Sequence, residues 1–312
     1  MKQIKYWGVL IFFASILFIG CKNSSNSKET SSEKTELTDT EDEWVSIWNG
    51  KDLTGWNTYF NSPFSKYDIT QEGFLGLNNP AQDIIDVVQL GDGSAIRISG
   101  TAFGMMFTEQ DYGNYHLKLK VKWGNDKHPP VENSLRNTGL LYHGFGEPGS
   151  AYAYLNTVEF EIQEGNMGDF WPIGDIEIDV PSKPTDSEFH QYDENSPLRT
   201  YSTTKFYKEG LTEHVDVGLM DSLVKMYVKK FPDKENKHGE WNDIDLICFG
   251  DSSIHMVNGT VVMRLFNARK MSDKSPLKAG KLVIQSEGSE VYYKDIRLKR
   301  IDKMPAKLVT KE

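Results

Sequence analysis

The sequence predicts an all-β protein, a single β-sandwich of the jelly-roll type, and three observations carry that prediction. Short segments alternate apolar and polar residues with period two, the pattern of strands buried on one face. Gly, Asn, Asp and Pro punctuate them at regular intervals, as turns between antiparallel strands require. No amphipathic stretch is long enough for a core helix; only Asp83–Leu90 would fit two helical turns, and nothing repeats at a fixed period. At 312 residues, 26% charged and 38% hydrophobic, the chain has enough apolar material for one large domain. Its formal net charge of −10 argues against general affinity for nucleic acid or anionic membrane surfaces, which need basic patches.

The N-terminus reads as a targeting segment. Lys2 and Lys5 precede an apolar run, Tyr6–Ile19, too short to span a bilayer comfortably and of the right length for a signal peptide. It ends Leu17-Phe-Ile-Gly-Cys21, which looks like a bacterial lipobox: residues 1–20 would be removed and Cys21 acylated, palmitate included. Lys22 rather than Asp after the cysteine points to the outer membrane. The expected location is therefore the cell envelope, as an outer-membrane lipoprotein facing periplasm or surface and touching the membrane through its lipid. Residues 21–43 are the lipidated cysteine and a Ser-, Thr- and charge-rich stretch, expected as a flexible tether. Cys248 is then the only thiol, without a disulfide partner, and reads as a small buried hydrophobe.

The folded part is expected over 44–301, with 302–312 as a tail. It opens at Trp44-Val-Ser-Ile-Trp48 and the Asn49-Gly50 turn. Strands follow around Gly73–Leu77, Ala95–Ser99, Met105–Thr108 and Tyr115–Trp123. The last sets Tyr115, Leu117, Leu119, Val121 and Trp123 against His116, Lys118, Lys120 and Lys122 on the other face. A polar loop, 124–137, leads to Thr138–His143. Residues 181–212, with three prolines among polar residues, read as an insertion that forms a lid over one end of the sheet. The last third returns to strands, Asn258-Gly259 joining two of them as a hairpin.

The stretch that organises the chain is Asn156–Trp171. Val158, Phe160 and Ile162 alternate with Glu159, Glu161 and Gln163, so two carboxylates and an amide share one face at about 7 Å intervals, twice the strand rise. Gly165 and Gly168 end the strand and lead to Phe170 and Trp171. This is how a carbohydrate site could be built; it is equally how the wet face of an ordinary antiparallel strand looks.

Six segments occur in the order of one family: Trp48-Asn-Gly-Lys-Asp-Leu-Thr-Gly-Trp56, Gly139-Leu-Leu-Tyr-His143, Glu159–Gly165 with Gly168-Asp-Phe-Trp171, Gly239-Glu-Trp-Asn242, Val257-Asn-Gly259 and Gly280–Gly288. Together they resemble the 3-keto-glucoside 1,2-lyase/3-keto-2-hydroxyglucal hydratase family, also called 3-keto-disaccharide hydrolases. The resemblance implies a concanavalin-like jelly roll with its site on the concave sheet. It also implies cleavage of 3-keto-glycosides, substrates that a glycoside 3-oxidising enzyme must first supply. Two features depart from that pattern: Glu161 stands where an amide is expected, and 181–212 is an addition.

The implied chemistry needs a base for the C2 proton that a C3 ketone acidifies, an acid for the leaving group and a partner for the C3 oxygen. Glu159 is the first choice for acid or base, with Glu161 beside it to raise one pKa. His143 is a third catalytic candidate. Arg136, Gln163, Trp171 and Trp241 are candidates for holding substrate, whereas Lys205, Glu287 and Asn258 are weaker. A divalent metal ion on His143 and Glu159 would polarise the keto oxygen, although no clustered ligand motif demands it.

Two other readings stay open. Glu159-Phe-Glu-Ile-Gln-Glu164 also fits the strand of retaining jelly-roll endoglycosidases, provided a bulge brings Glu164 onto the face of Glu159. Alternatively the sandwich is a surface glycan-binding module without turnover.

Overall fold

The computed structural model describes residues 43–64, 73–79, 83–186, 189–202 and 227–309. The signal segment, Cys21, all of the tether but its last residue, and Lys205 lie outside them.

Two antiparallel sheets face each other. The back sheet runs, in spatial order, β4 (Ile85–Leu90), β5 (Gly93–Ile98), β19 (Ser289–Arg300), β7 (Tyr115–Lys127), β15 (Asn242–Phe249), β16 (Ser252–Val257) and β17 (Thr260–Lys270). A short β1 (Val45–Ser46) pairs with the later half of β19. The front sheet runs β3 (Gly76–Leu77), β2 (Trp56–Phe60), β6 (Gly104–Thr108), β18 (Lys281–Ser286), β8 (Asn137–Phe145), β9 (Asn156–Gln163) and β10 (Phe170–Ile173). β10 also pairs, antiparallel, with β14 (Val228–Lys229), which pairs in parallel with β12 (His190–Tyr192). β11 (Ile176–Pro184) links the sheets: its start pairs with β17 and β13 (Leu198–Ser202), its end with β12. A single helical turn, α1 (Ala306–Val309), closes the described chain.

The alternation read from the sequence decides what faces inward. On β7 the five apolar residues from Tyr115 to Trp123 are buried, while the intervening His116, Lys118, Lys120 and Lys122 are partly exposed. They meet Leu140, Phe160, Ile162 and Ile284 of the front sheet in one core. Fully burying each side chain of this size contributes about 1.5–3 kcal/mol. Hydroxyls bridge the layers: Thr138 Oγ1 lies 2.9 Å from Tyr293 OH, and Tyr142 OH lies 2.6 Å from Ser253 Oγ and 3.0 Å from His255 Nε2. Cys248 is buried in the same core, its thiol donating to Tyr115 OH. At the β16–β17 hairpin, Asn258 and Gly259 both have positive φ (48° and 76°), the geometry a two-residue turn of this hand requires.

Three expectations change. Asp83–Leu90 is not helical: β4 pairs residue for residue with β5, because a partner strand is available and Ile85, Val87 and Val88 favour a pleated surface. β7 continues to Lys127, so the polar loop is shorter than 124–137. The described part of 181–212 is largely strand, since β11 extends to Pro184 and β12 and β13 pair along it.

One more layer matters for the site. Met105, Phe107, Leu141 and Val283 point out of the front sheet, away from the main core, and pack with Ala153, Tyr154 and Leu155. The loop between β8 and β9 therefore folds back over the outer face of that sheet.

Candidate functional site

Because Val158, Phe160 and Ile162 are core, parity puts Thr157, Glu159, Glu161 and Gln163 on the outer face of the front sheet. Glu159 and Glu161 are each only 4% exposed, so they form a floor rather than a solvated surface. The neighbouring strands complete that floor. On β18, Leu282 and Ile284 are core, which turns Gln285 outward, and Glu287 follows just past the strand end. On β8, Gly139 lies opposite Glu161 and Asn137 opposite Gln163. On β10, Trp171 lies opposite Glu159 and so shares its face.

Gly139 has ordinary extended backbone, so its reason is space. A Cβ there would stand 2.4 Å from both Glu159 Oε1 and Gln285 Oε1. Without one, the two side chains reach across the middle strand, and Glu159 Oε1 and Gln285 Oε1 border the same gap. Glu287 is held by Tyr154 OH at 2.6 Å and by Asn137 Nδ2 at 2.6 Å, which ties the covering loop to the floor.

Four carboxylates share this environment. Burial, then the charge of Glu287, push Glu159 well above the usual carboxylate range, and the neighbouring Gln285 amide works the other way. Burial pushes Glu161 up as well, followed by the charges of Glu159, Glu287 and Asp169, with no hydrogen bond opposing them. Asp169 is raised to about 6 by burial, tempered by the Lys230 backbone N–H on its Oδ1 at 2.8 Å. Both carboxyls are thus held well above the usual carboxylate range, and the one influence of opposite sign falls on Glu159, from Gln285.

Asn137 Oδ1, Glu161 Oε1 and Gln285 Oε1, together with Thr157 Oγ1 on the same face, are buried and have no hydrogen-bond partner. Buried polar atoms are rarely left so. The two amide oxygens can only accept, whereas the Thr157 hydroxyl, and Glu161 while it keeps its proton, can also donate.

The raised pKa of Glu161 has a sign for stability. The folded state keeps a proton that the unfolded chain releases near its ordinary value of 4.5, so stability falls as pH rises above that value. Glu161→Gln removes this loss. We expect a Tm higher than wild type at pH 8 by a few degrees, corresponding to the order of 1 kcal/mol, and a smaller gain at pH 5. Thermal melts at the two pH values check it; a Tm lowered equally at both would oppose it.

The other sequence candidates are dispersed. Arg136 forks onto Glu164 (3.1 Å to Oε2) and also donates to the carbonyls of Gly124 and Asn125. Glu164 thus answers Arg136, and β9 pairs with β8 from Glu159 to Gln163 without a register shift. No bulge turns Glu164 toward Glu159. Gln163 accepts from Asn166 Nδ2 and closes the turn after β9. Trp171 stacks on Tyr227 at 4.4 Å, with Phe189 edge-on to that tyrosine, forming an aromatic wall beside Glu159. Trp241 lies with Lys122 and Lys294 on the outer face of the back sheet, donating to Asp92. Asn258, in the β16–β17 turn, donates to Lys234 O and Asn242 Oδ1 and so ties that hairpin to the chain leading into β15.

His143 is 1% exposed, sits at a β8 irregularity with φ 55°, and neither ring nitrogen has a partner. Burial alone lowers its pKa to about 4; no carboxylate charge contributes. Among the described residues, no group of three or more His, Cys, Asp or Glu is placed to hold a metal ion. Gln285, Asp169 and Tyr227 were not singled out as site residues from the sequence, and Glu287 was ranked low. The outward parity of Val283, Gln285 and Glu287 was the available signal for two of them.

Cavities of about 480 and 240 Å³ flank the Arg264–Glu194 ion pair near Tyr192, and neither is lined by Glu159 or Glu161. The carboxylate floor remains the candidate site because its chemistry is convergent, whereas Arg264 is already engaged by Leu308 O, Tyr192 and Glu194.

Comparison with known proteins gives distant likenesses. A candidate glycosyl hydrolase from Parabacteroides distasonis ATCC 8503 is similar at 18% identity and TM-score 0.43, over 83% of this chain and 94% of that one. The carbohydrate-binding module CBM66 from Bacillus subtilis is similar at 9% identity and TM-score 0.35, over 80% and 98%. Domain 4 of AbnA, a GH43 extracellular arabinanase from Geobacillus stearothermophilus solved with arabinotriose, is similar at 12% identity and TM-score 0.37, over 81% and 97%. No curated protein matches the chain. Residues 43–299 match the 3-keto-alpha-glucoside-1,2-lyase-like domain, and the chain belongs to that family.

Proposed function

We propose that this protein cleaves 3-keto-glycosides by elimination across C1–C2 followed by hydration, with Glu159 as base and Glu161 as acid. Beside the family match, the observation that carries the reading is the buried, adjacent Glu159/Glu161 pair, whose carboxyls burial and neighbouring carboxylate charges push well above the usual range, a setting for proton transfer near neutral pH. The unpaired Asn137 and Gln285 amide oxygens suit a polyhydroxylated ligand, whose hydroxyls can donate to them.

Ionised Glu159 takes the C2 proton, and its electron pair forms the C2–C3 enolate. The enolate collapses to the ketone as C1=C2 forms and the C1–O bond breaks, Glu161 protonating the departing oxygen. Glu161, now ionised, takes a proton from water as its oxygen adds to C1, and Glu159 returns a proton to C2. Both carboxyls end as they began. General acid–base steps of this kind contribute about 10²–10⁴-fold each. The 3-keto group has to come from an enzyme that oxidises glycosides at C3. On the strength of the Leu17–Cys21 motif, we place this activity on an outer-membrane lipoprotein.

The test mixes the full chain with a chromogenic glucoside and with its 3-keto derivative, in D₂O. Aglycone release from the keto form alone, with deuterium entering C2, is expected. Release from the unmodified glucoside would point instead to ordinary glycoside hydrolysis, and binding without release to a glycan-binding module.

A further inference from the structure

Gln285 is 1% exposed and lies at the centre of the floor, yet its amide oxygen, Oε1, has no hydrogen-bond partner. Its approach to Glu159 depends on Gly139, since a Cβ there would stand 2.4 Å from both Gln285 Oε1 and Glu159 Oε1. The unpaired oxygen is therefore the atom that borders the same gap as the base. A glutamine serving only to steady Glu159 would gain by having its oxygen paired or exposed, because a buried acceptor without a donor is costly.

The position of that acceptor relative to the chemistry identifies its partner. The proton that Glu159 removes is on C2, and the substituent on the same carbon that can donate a hydrogen bond is the C2 hydroxyl. It is the hydroxyl that cannot be far from Glu159 when the reaction occurs, so it is the one an acceptor beside Glu159 can reach. We infer that Gln285 Oε1 accepts the C2 hydroxyl of the substrate and makes the protein selective for glycosides with a free hydroxyl there. This deepens the proposed elimination and rests on Glu159 acting at C2. Gly139 is required indirectly, as the gap through which Gln285 and Glu159 meet.

The experiment compares kcat/KM for a 3-keto-glucoside and its 2-deoxy analogue in wild type, Gln285→Leu and Gln285→Met. The intrinsic reactivity difference of the two substrates is common to all three proteins and cancels in the comparison. Wild type should prefer the 2-hydroxyl substrate by roughly ten- to a hundredfold more than either variant does. The methionine variant keeps the length and volume of the glutamine, so it covers the case in which leucine disturbs folding. An unchanged preference in folded variants would overturn the inference. A second arm titrates methyl glucoside and its 2-deoxy analogue into wild type and Gln285→Met by calorimetry, where no turnover is needed. If wild type releases no aglycone but this arm shows a 2-hydroxyl preference that Gln285→Met loses, the C2 contact stands and the elimination reading falls. If turnover occurs and neither arm shows a preference carried by Gln285, the reading stands and the inference falls.

Discussion

Glu159→Gln should lower kcat/KM on a 3-keto-glycoside by about 10²–10⁴-fold, the range general-base catalysis supplies, and should abolish deuterium incorporation at C2. The amide keeps the shape of the side chain and removes only the ability to take a proton. Its burial at 4% exposure and its contact with Gln285 leave little room for solvent to replace it as base. The substitution also removes a buried like charge beside Glu161 and Glu287, so the fold should not suffer. A melting temperature at or above the wild-type value, measured on the same preparation, shows that lost activity is lost chemistry. Sugar binding measured by calorimetry should persist within about tenfold. Retention of more than a tenth of wild-type turnover would remove Glu159 from the role of base, and His143 would be the next residue to test.

Much of this arrangement is legible in the sequence. Strict alternation from Val158 to Gln163 is enough to place Glu159 and Glu161 on one face opposite three core residues, because strand period and burial leave no other solution. The same holds for Tyr115–Trp123 and for the Asn258-Gly259 hairpin. Register between distant strands is not legible in that way. Gln285 reaches Glu159 only because β18 and β9 flank β8 and Gly139 stands between them. Tyr227 reaches Trp171 from a segment more than fifty residues downstream. Arg136 looked available because nothing local announces that Glu164 faces it across the end of the β8–β9 pair. Trp241 is an exposed-looking aromatic whose strand neighbour belongs to the other sheet, which periodicity cannot reveal. Asp83–Leu90 went the other way: local pattern allowed a helix, and the partner strand β5 decided otherwise.

Phe160→Ala should destabilise the domain by about 3–5 kcal/mol, the usual cost of truncating a fully buried phenylalanine. For a domain of this size, that corresponds to a Tm drop of about 6–20 °C. Phe160 is 0% exposed, stacks on His255 at 4.2 Å with 15° between the rings, and lies between Leu140 and Phe170 in register. Its removal opens a cavity beneath the strand whose other face carries Glu159 and Glu161. The backbone pairings on both sides of Phe160 remain, so the two carboxylates should keep their spacing while the folded state persists. Turnover measured well below the new Tm should then stay within about tenfold of wild type, in contrast to the loss expected for Glu159→Gln. A stability change under 1 kcal/mol in chemical denaturation would mean that this side of the strand does not carry the core. A collapse of activity in a protein still folded at the assay temperature would mean that the carboxylate geometry is set by packing under the sheet rather than by strand pairing and the Gly139 gap.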